Sequence, residues 1–342
     1  MTPKIKKLLQ NTTLIAISTV FVFAALEAFL RLFYANHPLT PGTYISHETR
    51  RYAFRPGFRG KTYGRPYRIN SFGLRDHEYS LLKPKGTFRI LAVGDSCTFD
   101  IGLDLEDTYP KQLERSLRKR YLGNSIEVIN CGIPSYNTAC EYLFLKEEGL
   151  KLDPDLVIIG YVYNDSVYNY PLTTSKSPFV NLAKDILRWL YSYEFILDKL
   201  YKLNYILRGL AANDPGIRRE NLQYVYSDRY IGWLKNKEAF SELEALSKEK
   251  SIPIVYVIYP KFEKLKSGYP YGFYHERVEE ALKREPYVFD LLPVFKRNNA
   301  EDLWVNSSDS HPNRDANGRI VESISGFLSD KGLISHKAGQ KE

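Results

Sequence analysis

Five short runs dominated by Val, Ile, Leu and aromatic residues constrain this chain most: FRILAVG (88–94), SIEVIN (125–130), DLVIIGY (155–161), IPIVYVIY (252–259) and YVFDLL (287–292). Each has strand length and is rich in β-branched residues. Near-continuous apolar runs belong to strands covered on both faces, whereas a strand with one wet face alternates apolar and polar residues. The stretches between the first three runs have helical spacing: TYPKQLERSLRKRY (108–121) carries polar faces, and a second helix is expected from about 136 to 150. Strands alternating with amphipathic helices give βαβ units and a parallel sheet. The expected fold is therefore α/β, a doubly wound sandwich around a five-stranded parallel sheet.

The amino terminus obeys a different rule. Residues 8–26 contain no charge, and Lys4, Lys6 and Lys7 precede them. About 20 apolar residues suffice to cross a bilayer as a helix. No pair of small residues at cleavage spacing follows Ala24 and Ala25, so an uncleaved signal anchor over residues 1–35 is expected. The lysines before the span place the amino terminus in the cytoplasm and the rest of the chain outside it. Glu27 lies near the exit end, where a carboxylate reaches the interface at modest cost.

Residues 36–86 are polar, rich in Pro and Gly, and read as a connecting region packed on a main domain at 87–332, with a flexible tail at 333–342. A long insertion, 166–228, interrupts that domain with LAKDILRWLYSYEFILDKLYKLNYILRGL, whose helical spacing is plain. It reads first as a helical subdomain on the core. A substrate groove and a membrane-surface contact are the alternatives.

The net charge of +8 comes from 48 basic and 40 acidic residues scattered among one another. No basic block with interleaved aromatics marks a nucleic-acid groove, so no nucleic-acid partner is expected. Three cysteines (Cys97, Cys131, Cys140) without a C-x-x-C pair argue against a disulfide framework and a zinc site. They read as small apolar residues, a Cys131–Cys140 bridge being the alternative.

Ligand sites in open parallel sheets lie beyond the carboxyl ends of the strands. Those positions hold Gly94-Asp95-Ser96-Cys97, Asn130-Cys131-Gly132 and Tyr161-Val162-Tyr163-Asn164-Asp165, and a late loop holds Ser308-Asp309-Ser310-His311-Pro312-Asn313. A Ser at a strand-to-helix turn presents its hydroxyl beside backbone N–H groups. Acyl transfer needs donors fixed on an oxyanion, and the Ser96 N–H, Gly132 N–H and Asn164 amide are the candidates. His311 would take the Ser96 proton, and Asp309 would orient the imidazole. His37, His47, His77, His275 and His336 occupy no comparable setting.

These four segments, in this order, resemble the conserved blocks of SGNH/GDSL hydrolases. The resemblance spans about residues 70–330 and includes Asn70-Ser71-Phe72-Gly73-Leu74-Arg75 ahead of the first block. That stretch and the single anchor are similar to membrane-tethered members associated with cell-surface polysaccharides. The resemblance implies a flavodoxin-like three-layer α/β/α fold, no metal or cofactor, and hydrolysis or transfer of acyl groups. Two positions depart from the pattern. Cys97 stands where Leu is usual, and Ser308 stands three residues before the His, where the family places its Asp; Asp309 is two before. The expected activity is a serine esterase on acyl, notably acetyl, esters of a carbohydrate or another small ester. An O-acyltransferase to a surface glycan through the same acyl-Ser96, and a non-catalytic glycan-binding subunit, are the rivals.

Overall fold

The computed structural model describes residues 2–33, 37–50, 52–122, 125–166, 177–197, 199–200, 203, 222–266 and 268–334. The chain opens with helix α1 (Pro3–Phe33), in which only Leu30 is buried. Leu14, Ile17, Phe21 and most of their apolar neighbours are open. A core helix of a soluble protein would bury such residues; this one is long and apolar enough to cross a membrane, with a mean hydropathy of 2.2 over its best window.

Two small antiparallel pairs follow, β1 (Tyr44–Ser46) with β2 (Tyr52–Phe54), and β3 (Arg59–Thr62) with β4 (Arg65–Arg68). Their Phe54, Phe58 and Tyr67, with Ile69 and Leu74 beyond, join the same core cluster as the main sheet.

The main sheet is built from β5 (Thr87–Gly94), β6 (Ser125–Gly132), β7 (Leu156–Tyr161), β8 (Ile254–Ile258) and β9 (Val288–Asp290). All neighbours are parallel, in the order β6-β5-β7-β8-β9. Numbered within the sheet this is 2-1-3-4-5, the flavodoxin-like order. Five runs expected as strands are strands, with no end moved by more than two residues. β6 continues to Gly132 because it pairs with β5 to the end, Gly94 opposite Gly132.

Side-chain alternation along β5 builds both faces at once. Ile90 and Ala92 meet α3 (Tyr109–Arg120) through Tyr109, Leu113 and Leu117, and the last helix through Ile320, Ile324 and Leu328. Leu91 and Val93 face α4 (Thr138–Glu147) through Phe144 and Leu145. The long helix α6 (Ile231–Lys250) adds Phe240 and Leu243 on that side, and α7 (Gly272–Ala281) adds Tyr274 and Val278. The result is a three-layer α/β/α sandwich.

Of the insertion, helix α5 (Pro178–Leu187) is described, while 167–176 and most of 201–221 lie outside the described residues. The chain closes with a hairpin, β10 (Trp304–Asn306) and β11 (Asp309–Pro312), and helix α8 (Arg314–Asp330). Ile334, which the sequence reading put in a tail, is buried in the α3/α8 core. Residues 335–342 lie outside the described residues.

Candidate active site

The chain runs from β5 to β6 on one side and then to β7 on the other. Their carboxyl ends therefore flank the switch point of the sheet, where a crevice forms. β5 delivers Gly94, then Asp95 caps a single helical turn, α2 (Ser96–Phe99), by accepting from the Cys97 N–H at 2.8 Å. Short polar residues with a side-chain acceptor favour this cap position. Ser96 is thus the first residue of the turn and stays half-exposed above a buried Asp95.

Glycines let that turn sit hard against the sheet. A Cβ on Gly94 would lie 2.2 Å from Thr98 Oγ1, and one on Gly132 would lie 2.2 Å from the Phe99 nitrogen. Arg75 clamps the far end of the turn, donating to the carbonyls of Phe99 (2.6 Å) and Asp100 (2.8 Å). The guanidinium is buried, and its pKa falls to about 10 because burial opposes the charge.

β11 brings in the partners. His311 Nε2 lies 2.8 Å from Ser96 Oγ, across 215 residues of sequence. His311 Nδ1 is in a very short contact with Asp309 Oδ1, and the same oxygen accepts from the His311 N–H at 3.0 Å. Ser308 is turned away; its N–H and Oγ both bond Asn306 Oδ1. The carboxylate two residues before His311 thus reaches Nδ1, because a tight hairpin folds Asp309 back over the imidazole.

The charges sharpen this pairing. Burial alone would raise the Asp309 pKa, but the His311 hydrogen bond and charge, with a bond from Tyr63, hold it down at about 2. Burial alone would lower the His311 pKa. The hydrogen bond and charge of Asp309, helped by Asp95 and Asp100, outweigh it and hold His311 above its ordinary value. Beneath the site, burial pushes Asp100 up to about 7 and raises Asp95, Glu141 and Asp165 as well.

Of the three donors expected for an oxyanion, two have acceptors within the chain. The Gly132 N–H donates to Asn130 Oδ1 at 3.0 Å, and the missing Cβ leaves room for the α2 backbone. The Asn164 amide reaches Asp95 Oδ2 at 3.4 Å, the oxygen that also lies 3.1 Å from Ser96 Oγ. Asp95 therefore ties Asn164 to the serine side of the crevice. The Ser96 N–H lies at the open end of the turn.

Two contributors were not visible in the sequence. Tyr63, in the turn between β3 and β4, donates from its hydroxyl to Asp309 Oδ2 at 2.6 Å across 246 residues. Asp95 joins Ser96 and Asn164 as well as capping the turn. Cys131 and Cys140 are buried thiols and Cys97 is half-buried. Among the described residues, no group of three or more His, Cys, Asp or Glu could hold a metal.

No protein-family model matches the chain, and no curated protein matches it. Solved structures do resemble it. A two-domain esterase active on acetylated mannans is 13% identical with a TM-score of 0.44, covering 75% of this chain and 52% of its own. An acetyl xylan esterase is 12% identical with a TM-score of 0.43, covering 70% and 100%. A lipase/acylhydrolase from Enterococcus faecalis is 14% identical with a TM-score of 0.41, covering 71% and 96%. At such identities and scores the likeness carries no argument about activity, which rests on this chain's own residues.

Proposed function

We propose that this chain is a membrane-anchored serine esterase of the SGNH/GDSL type, acting through an acyl-Ser96 intermediate. The observation that carries the reading is one line of contacts at the switch point of the sheet: Ser96 Oγ, His311 Nε2, His311 Nδ1 and Asp309 Oδ1. Ser96 Oγ attacks the ester carbonyl carbon while its proton passes to Nε2. The C–O bond of the tetrahedral intermediate breaks, and the leaving alcohol takes that proton. Water repeats the sequence on the acyl-enzyme and restores Ser96. Asp309 orients the ring and stabilises the imidazolium. The Ser96 N–H and the Asn164 amide are the proposed oxyanion donors; loss of one such donor costs about 3–4 kcal/mol. The four sequence blocks and the anchor support an acyl ester, notably an acetyl ester, of a surface carbohydrate as substrate. The lysines ahead of α1 support a cytoplasmic amino terminus and an exported catalytic domain.

The test is turnover of a short-chain acyl ester and labelling by a fluorophosphonate, comparing the detergent-solubilised chain with Ser96→Ala. Both are expected in the parent and absent in the variant. A folded parent that neither turns over acetylated glycans nor takes the label would remove the enzyme reading.

A further inference from the structure

Part of the insertion presents apolar side chains that the site does not use. On α5, Phe179, Leu182 and Ile186 share one face by their spacing and are 83%, 59% and 61% exposed. The other side of the same helix is fixed to the protein. Asp185 accepts from the Ser46 N–H and Oγ, each at 2.9 Å, and Trp189 just beyond packs at a tilt against Phe58, ring centroids 5.7 Å apart, with the Arg55 guanidinium 4.9 Å from its ring. A helix held this firmly by one face, with large aliphatic and aromatic groups open on the other, marks an interaction surface.

The contacts of α1 indicate what covers it. The Glu27 carboxylate accepts from the Tyr191 N–H (3.1 Å), the Ser192 N–H (2.8 Å) and the Ser192 Oγ (2.8 Å). Arg31, paired with Glu27 at 2.7 Å, donates to the Trp189 carbonyl at 3.3 Å. Glu27 and Arg31 close the apolar span, and charged groups lie at the interface rather than the centre of a bilayer. Four residues of helix rise about 6 Å, comparable to the ~5–10 Å depth at which an amphipathic helix lies among headgroups and upper acyl chains.

We propose that residues 178–190 lie in the interfacial layer of the same bilayer that α1 crosses, with Phe179, Leu182 and Ile186 sunk among the acyl chains. The occupant of this face is lipid. The proposal rests on α1 being inserted. It gives the catalytic domain two attachments, the span and the α5 face, so the domain cannot swing freely on its tether. Because the insertion leaves the loop that carries Asn164, the crevice is held at one orientation to the membrane surface.

Trp189 is a built-in probe: of the three tryptophans it is 47% exposed, whereas Trp233 is buried and Trp304, in β10, is half-buried. The full chain is reconstituted in phosphatidylcholine vesicles containing phosphatidylcholine brominated at shallow acyl positions. Tryptophan quenching is expected, and Trp189→Phe should remove most of it. The double substitution Leu182→Glu, Ile186→Glu should cut the quenching several-fold, while flotation with vesicles and labelling of Ser96 stay unchanged. Flotation without quenching that depends on Trp189 would overturn the proposal. So would energy transfer between differently labelled copies that the double substitution abolishes, since a second chain would then cover the face. Failure to float would withdraw the anchor reading itself, and this proposal with it.

Discussion

Asp309→Asn tests the reading most directly, because the family pattern has its Asp at position 308, where this chain has Ser, and the hairpin brings Asp309 to His311 instead. In the acyl-transfer step His311 gains a proton, and Asp309 faces the resulting charge. Two unit charges about 4 Å apart interact by about 4 kcal/mol at an effective dielectric of about 20. At 1.36 kcal/mol per decade this is about a thousandfold in kcat/KM. Asn also presents an amide to Nδ1 and favours the wrong tautomer. The pH profile carries an independent sign. His311 must be neutral to act as base, and its pKa is held above the ordinary value because Asp309, with Asp95 and Asp100, outweighs burial. In the parent, activity therefore rises with pH through a midpoint above about 6.5. Removing the Asp309 charge leaves burial dominant, so the midpoint should move to lower pH as the rate falls. Ser308→Ala, which removes a hydroxyl bonded only to Asn306, should change the rate less than about twofold. Initial rates over pH 5–9 check all three outcomes. A loss under about tenfold, or a midpoint that does not move, would refute Asp309 as the charge that supports His311.

Other perturbations read other parts of the site. Tyr63→Phe removes a bond to the Asp309 carboxylate and should cost about tenfold in kcat/KM, the lower bound for a hydrogen bond to a charged group; an unchanged rate would make Tyr63 a bystander. Gly132→Ala drives a Cβ to 2.2 Å from the backbone of the nucleophile turn, at a cost of about 1–3 kcal/mol. Melting temperature and Ser96 labelling should fall together, and a variant with both intact would contradict the packing argument. Asp95, Asp100, Glu141 and Asp165 all have raised pKa values, so from about pH 4 to 7 the folded state holds more protons than the unfolded chain. Stability from the raised His311 is likewise present below about 6.5 and lost as pH rises through its folded value. Asp309 acts oppositely, but only between about pH 2 and 4. The melting temperature should therefore be higher at pH 5.5 than at pH 8, and the reverse order would mean that these carboxyls are buried as anions.

Much of the architecture was legible in the chain because it depends on local pattern. Val and Ile runs of strand length dictated a sheet covered on both faces, and the helical stretches between them dictated parallel crossovers. A helix long and apolar enough to cross a membrane needed only a count of uncharged residues. Candidate site positions followed from strand ends, a late loop and the resemblance to the SGNH/GDSL blocks, so Ser96, Asn164 and His311 could be named as candidates without coordinates. Relations between distant residues could not. Asp309 was named as the acid although it stands one residue off the family's position, and only the path of the β10–β11 turn, with Asn306 capturing Ser308, puts it against Nδ1. Gly132 read as an oxyanion donor because a strand-end glycine exposes backbone; in the fold Asn130 takes its N–H and the α2 backbone takes its space. Tyr63 carries no local signature, since its role exists only once a hairpin 246 residues away folds over it. Nor did the insertion disclose that it meets the carboxyl-terminal end of α1, which required Glu27 to meet Ser192 across 165 residues. Periodicity is set by backbone geometry and survives in one dimension. Hydrogen-bond competition at a site is decided by which donors and acceptors the tertiary fold brings within about 3 Å.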